Sequence, residues 1–165
     1  MATRTYEPIA TYTLASAAAS YTFNTIPATY TDIILIASLL GTSPNYPRIK
    51  INADVGSVYS YTYITGNGSA ADSNQSSNVS GSSYVTANAQ FSATTPLILQ
   101  SHFQSYSNTT TYKTFLTRAS QAGTATEASI SLWRSSNAIT SIEVLASSGN
   151  LAIGSVLTLY GIKAA

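Results

Sequence analysis

Short segments with a two-residue hydrophobic period recur along this chain and constrain its fold more than any other feature. In residues 48–52, Arg-Ile-Lys-Ile-Asn, the two isoleucines share one side of an extended chain and the two cations share the other. Residues 138–162 contain two further segments of this kind, rich in β-branched residues and joined by a glycine-containing turn. We interpret them as a hairpin of two strands that closes the fold.

Turn residues separate these segments about every 8–15 residues, which predicts about eight to ten strands and no helix. The predicted strands cover residues 9–14, 21–26, 33–40, 48–52, 58–64, 97–103, 112–118, 128–134 and the two halves of 138–162. Segment 33–40, Ile-Ile-Leu-Ile-Ala-Ser-Leu-Leu, is apolar on both sides, which predicts a central strand covered on both faces. The pattern is typical of an all-β fold, an antiparallel β-sandwich, and a jelly-roll-like arrangement is our first choice.

The length of 165 residues indicates one domain. We expect residues 1–8 to form a polar N-terminal arm that ends at Pro8, and residues 9–165 to form a single β-sandwich domain. Within it, residues 66–83 consist almost entirely of Ser, Asn, Gly and Ala, which predicts a long exposed loop and a candidate contact surface. The N-terminus lacks the apolar core of a signal peptide, so we expect the chain to be released into the cytosol.

Charge is scarce in this sequence. Only 8% of the residues are charged, where about 25% is typical of a soluble domain. A surface with little charge repels other copies weakly, which favours close association with other proteins. The seven Lys and Arg residues are scattered and the formal net charge is +1, so we expect no nucleic-acid partner and no membrane partner.

Few residues in the chain are suited to catalysis or metal binding. There is no cysteine, and His102, the one histidine, lies inside a predicted strand, which favours a structural role. Five carboxylates that are far apart in sequence could converge in a fold, as glycoside hydrolysis requires: Asp32, Asp54, Asp72, Glu127 and Glu143. Because Asp54 and Asp72 are interpreted more simply as turn residues and Glu143 as a solvated strand residue, we expect no enzyme activity, no metal and no cofactor.

Tyrosines supply the candidate interface. In the strand predicted at 58–64, Tyr59, Tyr61 and Tyr63 share one face. Three interpretations remain open, namely packing within the sheet, an interface between protein copies, and a stacking platform for sugars. Together with Arg4 and Tyr6 of the arm, these three tyrosines form the candidate protein–protein interface.

Two blocks of sequence resemble a known family. Residues 21–33, Tyr-Thr-Phe-Asn-Thr-Ile-Pro-Ala-Thr-Tyr-Thr-Asp-Ile, resemble a segment of small virion proteins of tailed bacteriophages, especially phages of marine and cyanobacterial hosts. Ile-Thr-Ser-Ile at 139–142, Gly-Ser at 154–155 and Leu-Tyr-Gly-Ile at 159–162 resemble the ending of the same proteins. The resemblance implies a β-sandwich building block of the particle, without catalytic residues to carry over. The middle of the chain, residues 66–90, matches nothing in that family and leaves the specific role open.

These observations lead to a functional hypothesis and two alternatives. The first is a capsid decoration, or cement, protein that binds the head shell as a homo-oligomer, which we expect to be a trimer. Its partners would be itself and other virion proteins such as the major capsid protein, and it would reside in the virion after assembly in the host bacterial cytoplasm. One alternative is a tail or fibre module that recognises a host glycan through residues 66–83 and exposed tyrosines. The other is a small hydrolase, which requires two carboxylates to meet in a cleft.

Overall fold

The computed structural model describes residues 5–163, and in this range the chain forms twelve β-strands and no helix. The strands are β1 Tyr6–Thr13, β2 Ser20–Phe23, β3 Asp32–Leu39, β4 Pro47–Ile51, β5 Tyr59–Gly66, β6 Ala71–Val79, β7 Ser83–Tyr84, β8 Leu97–Phe103, β9 Lys113–Gln121, β10 Ala125–Trp133, β11 Ile142–Ala146 and β12 Val156–Ile162. The predicted all-β class is confirmed.

The strands form two antiparallel sheets of unequal width. The large sheet has eight strands in the order β1-β12-β3-β8-β9-β10-β5-β6, and the small sheet has four in the order β2-β11-β4-β7. Alternate residues of both sheets are buried between them, as in a sandwich. The antiparallel sandwich predicted from the sequence is therefore confirmed, and its jelly-roll connectivity stays a prediction.

The core lies between the small sheet and one side of the large sheet. From the large sheet, the core takes Ile33, Leu35, Leu39, Leu97, Leu99, Phe103, Phe115 and Trp133; from the small sheet it takes Ile49, Ile51, Ile142 and Val144. All of these side chains are at most 1% exposed. Their period-two spacing along each strand is the alternation from which the sequence predicted the strands.

The predicted hairpin at 138–162 is wrong. Its two strands form as expected, but β11 lies in the small sheet between β2 and β4, while β12 lies in the large sheet between β1 and β3. The connection crosses from one sheet to the other. Its Leu151 is buried and forms isolated β-bridges with Ala18 and Gly41. Alternation predicts that a segment is a strand, whereas the choice of neighbour depends on contacts far away in sequence.

The long loop predicted at 66–83 is also wrong, because β6 occupies half of it. Strands β5 and β6 pair as a hairpin, and Asn67 closes its turn by accepting hydrogen bonds from the N–H groups of Ser69 and Ala70 at 2.9 and 2.8 Å. The exposure predicted for this segment is correct, since nearly every residue of β6 is exposed. A strand with solvent on both faces needs no apolar period, so the sequence carried no signal for it.

The arm predicted at residues 1–8 needs a similar correction. Tyr6 to Pro8 belong to β1 and pair with Ile162 to Tyr160, so the sheet begins three residues earlier than expected. Proline is compatible with this position because β1 is an edge strand of the large sheet. Arg4 lies outside the described residues.

Candidate functional site

The tyrosine row of β5 points into the sandwich. Tyr59 is fully buried, accepts a hydrogen bond from the Ile51 N–H at 3.1 Å and donates one to the Asp54 carbonyl at 3.2 Å. Tyr63 is only 9% exposed, and the Tyr61 ring packs edge-on against Tyr84, with 5.8 Å between centroids. An interface role for Tyr59 is therefore wrong, and the geometry supports packing between the sheets. The alternation alone does not decide which side of β5 is buried, because the side opposite the tyrosines is also uncharged.

Tyr6 keeps its place as a candidate interface residue. Its side chain is 55% exposed on the edge strand β1, opposite Ile162. Further along the same strand, Tyr12 stacks on Tyr21 of the small sheet, with 4.1 Å between ring centroids. The aromatic pair closes this edge of the sandwich, whereas Tyr6 lies beyond it.

His102 and the carboxylates make structural contacts. The His102 Nε2 lies 3.0 Å from the Asp32 Oδ2, which ties β8 to the start of β3. Asp54 accepts a hydrogen bond from the Trp133 indole at 2.9 Å. Glu127 is buried and accepts the N–H groups of residues 87 and 88 at 2.7 and 3.0 Å. Burial raises the pKa of Glu127, although these backbone hydrogen bonds oppose the shift.

A group of exposed aliphatic side chains lies on the side of the large sheet that faces away from the small sheet, here called the outer face. The strand register aligns its side chains in rows, one of which runs Ile34, His102, Leu116 and Ile130. The next row runs Ile36, Gln100, Arg118, Ala128 and Ile64. Five aliphatic side chains on five adjacent strands remain 43–63% exposed: Ile36, Ile98, Leu116, Ile130 and Ile64.

Part of the outer face is a shallow trough of about 1010 Å³ that extends from β8 across to β6. Its walls include Ile64, Ile98 and Ala128, and Arg118 lies near the middle. The Arg118 Nη2 donates to the Gln100 Oε1 at 2.5 Å. Within residues 5–163, no carboxylate forms an ion pair with Arg118. The trough thus combines aliphatic side chains with polar ones, including the carboxylates of Asp72 and Glu127, and with Arg118, which forms no ion pair in the described chain.

The apolar run at 33–40 is a sequence signal for the outer face, although its pattern predicts a strand covered on both faces. In β3 only one side lies against the small sheet. Ile33 and Leu35 are fully buried on that side, while Ile36 is 43% exposed on the other. On the outer side Ile34 is only 4% exposed, so the prediction of two covered faces holds at Ile34 and is wrong at Ile36.

The chain matches no protein-family model, no curated protein and no solved structure. In the described part of the chain, His, Asp and Glu side chains form no group of three or more that could hold a metal ion. The same residues include no helix of the length and apolarity needed to cross a membrane. The geometry of the outer face therefore carries the functional argument.

Proposed function

We propose that this chain is a structural protein of a tailed-bacteriophage virion, and specifically a capsid decoration protein that binds the head shell as a homo-oligomer. The uncovered outer face carries the proposal. Strands that are apolar on both sides ordinarily lie in sheets covered on both sides, and here the chain supplies only one cover. In a decoration protein, the shell would supply the other.

The outer face is large enough for a stable interface. Eight strands at about 4.8 Å spacing, with three outward rows about 7 Å apart, span on the order of 800 Å². One partner in a standard protein–protein interface contributes about 800 Å². Covering the remaining exposed half of five aliphatic side chains would contribute roughly 1 kcal/mol each before the costs of association.

The charge distribution favours the same function. Two cations away from the outer face are paired with carboxylates of the chain, Lys50 with Glu143 at 2.8 Å and Lys163 with Glu7 at 2.9 Å. A partner that covers the outer face therefore has few charges to desolvate, which is typical of the core of a protein interface. The resemblance of residues 21–33 and 139–162 to phage virion proteins supports the particle as the place of assembly.

The direct test is binding to particles of the phage that encodes the chain, prepared without this protein. We expect the purified protein to sediment with these particles and the Leu116→Ser/Ile130→Ser variant to bind at least about tenfold more weakly, a loss of about 1.4 kcal/mol. Val55→Ser is the matched control, because Val55 is 69% exposed away from the outer face. Failure of the unmodified protein to sediment, or unchanged binding by the double variant, would refute the proposal.

The glycan-binding alternative has less support from the geometry. It relied on a loop at 66–83 and on exposed tyrosines that could stack on sugar rings. Half of that segment is strand β6, and Tyr59 and Tyr63 are buried. A glycan array gives the decisive measurement for this alternative, since specific binding to host surface glycans would favour a tail or fibre module.

A further inference from the structure

We infer that the partner of the outer face presents a carboxylate to Arg118, from an aspartate or glutamate flanked by apolar side chains on a protein surface. The inference rests on the proposed function in taking the outer face as the docking surface. It goes beyond it by assigning the chemistry of the partner.

Arg118 lies among the exposed aliphatic side chains of the outer face. It lies in the same row as Gln100 and Ala128, and its neighbours in this row and the adjoining ones include the exposed aliphatic side chains of the outer face. Any partner that covers those side chains also removes the guanidinium from water. An unpaired buried charge costs several kcal/mol, so a partner must supply acceptors at this point.

The chemistry of the guanidinium selects the acceptor. Arginine carries five N–H donors in a planar fork, and Gln100 accepts a hydrogen bond at only one terminal nitrogen. The remaining donors match a carboxylate, which can accept two parallel hydrogen bonds and also neutralise the charge. A neutral carbonyl would satisfy a donor but would leave the charge uncompensated.

A second copy of this chain is a poor source of that carboxylate. Five of its six side-chain carboxylates accept hydrogen bonds from residues elsewhere in the chain, namely Glu7, Asp32, Asp54, Glu127 and Glu143, whereas the exposed Asp72 accepts the adjacent Ser73 N–H. A face-to-face dimer whose symmetry axis runs through the trough would also place two Arg118 side chains against each other, and like charges in contact are unfavourable. The partner is therefore a different protein.

The trough is open to solvent, which favours a protein over a small molecule as its ligand. Small-molecule sites ordinarily enclose about 70–90% of the ligand surface. Here Ile64 and Ile98 in the trough walls are themselves 63% and 48% exposed. A surface this shallow suits a broad partner that extends over several strands.

Two synthetic peptides test the inference on the intact protein. Both are acetylated and amidated, and they differ only at the centre: Ser-Ile-Thr-Glu-Thr-Ile-Ser and its glutamine counterpart. In an extended peptide the central residue and both isoleucines lie on one face. NMR spectra of methyl-labelled protein report on Ile36, Ile64 and Leu116, and the side-chain Nε–H reports on Arg118.

We expect the glutamate peptide to shift these signals and the glutamine peptide to bind at least about tenfold more weakly. Raising the salt concentration from about 0.05 M to about 0.5 M should weaken only the glutamate peptide, since salt screens an exposed ion pair. In Arg118→Gln the two peptides should bind alike. Equal binding to the unmodified protein, persistent discrimination by Arg118→Gln, or shifts confined to another surface would overturn the inference.

Binding to phage particles distinguishes a failure of this inference from a failure of the proposed function. If Arg118→Gln binds particles as well as the unmodified protein does while Leu116→Ser/Ile130→Ser does not, the docking surface stands and the inference is wrong. If the protein never binds particles but the peptides are discriminated, the inference stands and the proposed function is wrong. Self-association that Ile130→Ser abolishes in sedimentation would assign the outer face to a second copy and overturn the inference.

Discussion

Removing the Tyr59 hydroxyl, in Tyr59→Phe, gives the sharpest test of the packing in this fold. The ring is retained, but the Ile51 N–H loses its acceptor at 3.1 Å and the Asp54 carbonyl loses its donor at 3.2 Å. Losing a hydrogen bond and leaving a buried donor unpaired costs about 2 kcal/mol. For a domain of this size, the melting temperature should fall by about 4–8 °C.

The same hydroxyl makes the effect of the substitution depend on pH. Burial raises the pKa of Tyr59 from 10.0 to about 12; the charges of Asp54 and Glu143 add to the shift, and the hydrogen bond with Ile51 opposes it. Because the fold favours the neutral phenol, this stabilisation is complete below about pH 10 and is lost as the pH rises towards 12. Two pKa units correspond to about 3 kcal/mol. The advantage of the unmodified protein over Tyr59→Phe should therefore shrink above about pH 10 and reverse near pH 12.

Denaturant unfolding followed by Trp133 fluorescence, from about pH 7 to about pH 11.5, measures both effects. Tyr61→Phe is the matched control on the same strand and face, and its stability should stay within about 0.5 kcal/mol of the unmodified protein. Equal stabilities of the two variants at neutral pH would refute the assigned hydrogen bonds. A difference between Tyr59→Phe and the unmodified protein that stays constant up to about pH 11.5 would refute the pKa argument.

Two further substitutions test other contacts of the fold. A Cβ at Gly161 would lie 2.3 Å from the Tyr30 ring, so Gly161→Ala should lower the free energy of unfolding by about 2 kcal/mol. Gly66→Ala is the control, because the nearest atom to a Cβ there is 3.8 Å away. Equal stabilities of the two variants would contradict the contact. Glu127→Ala leaves the two backbone N–H groups of residues 87 and 88 without their acceptor. It should destabilise the protein by about 2 kcal/mol and speed amide hydrogen exchange at these two residues. Unchanged exchange at residues 87 and 88 would show that the carboxylate does not hold this segment in place.

Strand prediction succeeded where burial falls on one side of a strand. Strand β8, predicted at 97–103, forms over the same residues, and Ile49 and Ile51 of β4 are fully buried as expected. It failed for β6, where solvent on both sides removes the apolar period on which the prediction depends. It also failed to separate β11 from β12, because a local pattern contains no information about which sheet a strand joins.

The two sequence blocks on which the proposed phage resemblance rests, residues 21–33 and 139–162, meet in the structure. Tyr30, from the first block, packs its ring over Gly161, from the last, and its hydroxyl donates to Glu7 at 3.4 Å. Glycine at this position leaves the space that the ring fills. The two blocks lie far apart in sequence, and the pairing of β12 with β3 and of β11 with β2 brings them together.

The sequence by itself determined that the chain forms an all-β fold with little charge, because alternation and composition act locally along each segment. Only the tertiary structure decided which side of each strand is covered. A two-residue period places Tyr59 and Tyr63 together, and likewise Ile34 and Ile36, but it does not say which group faces the second sheet. That choice depends on packing between distant segments, which buried Tyr59 and left Ile36 exposed beside Arg118 on the outer face.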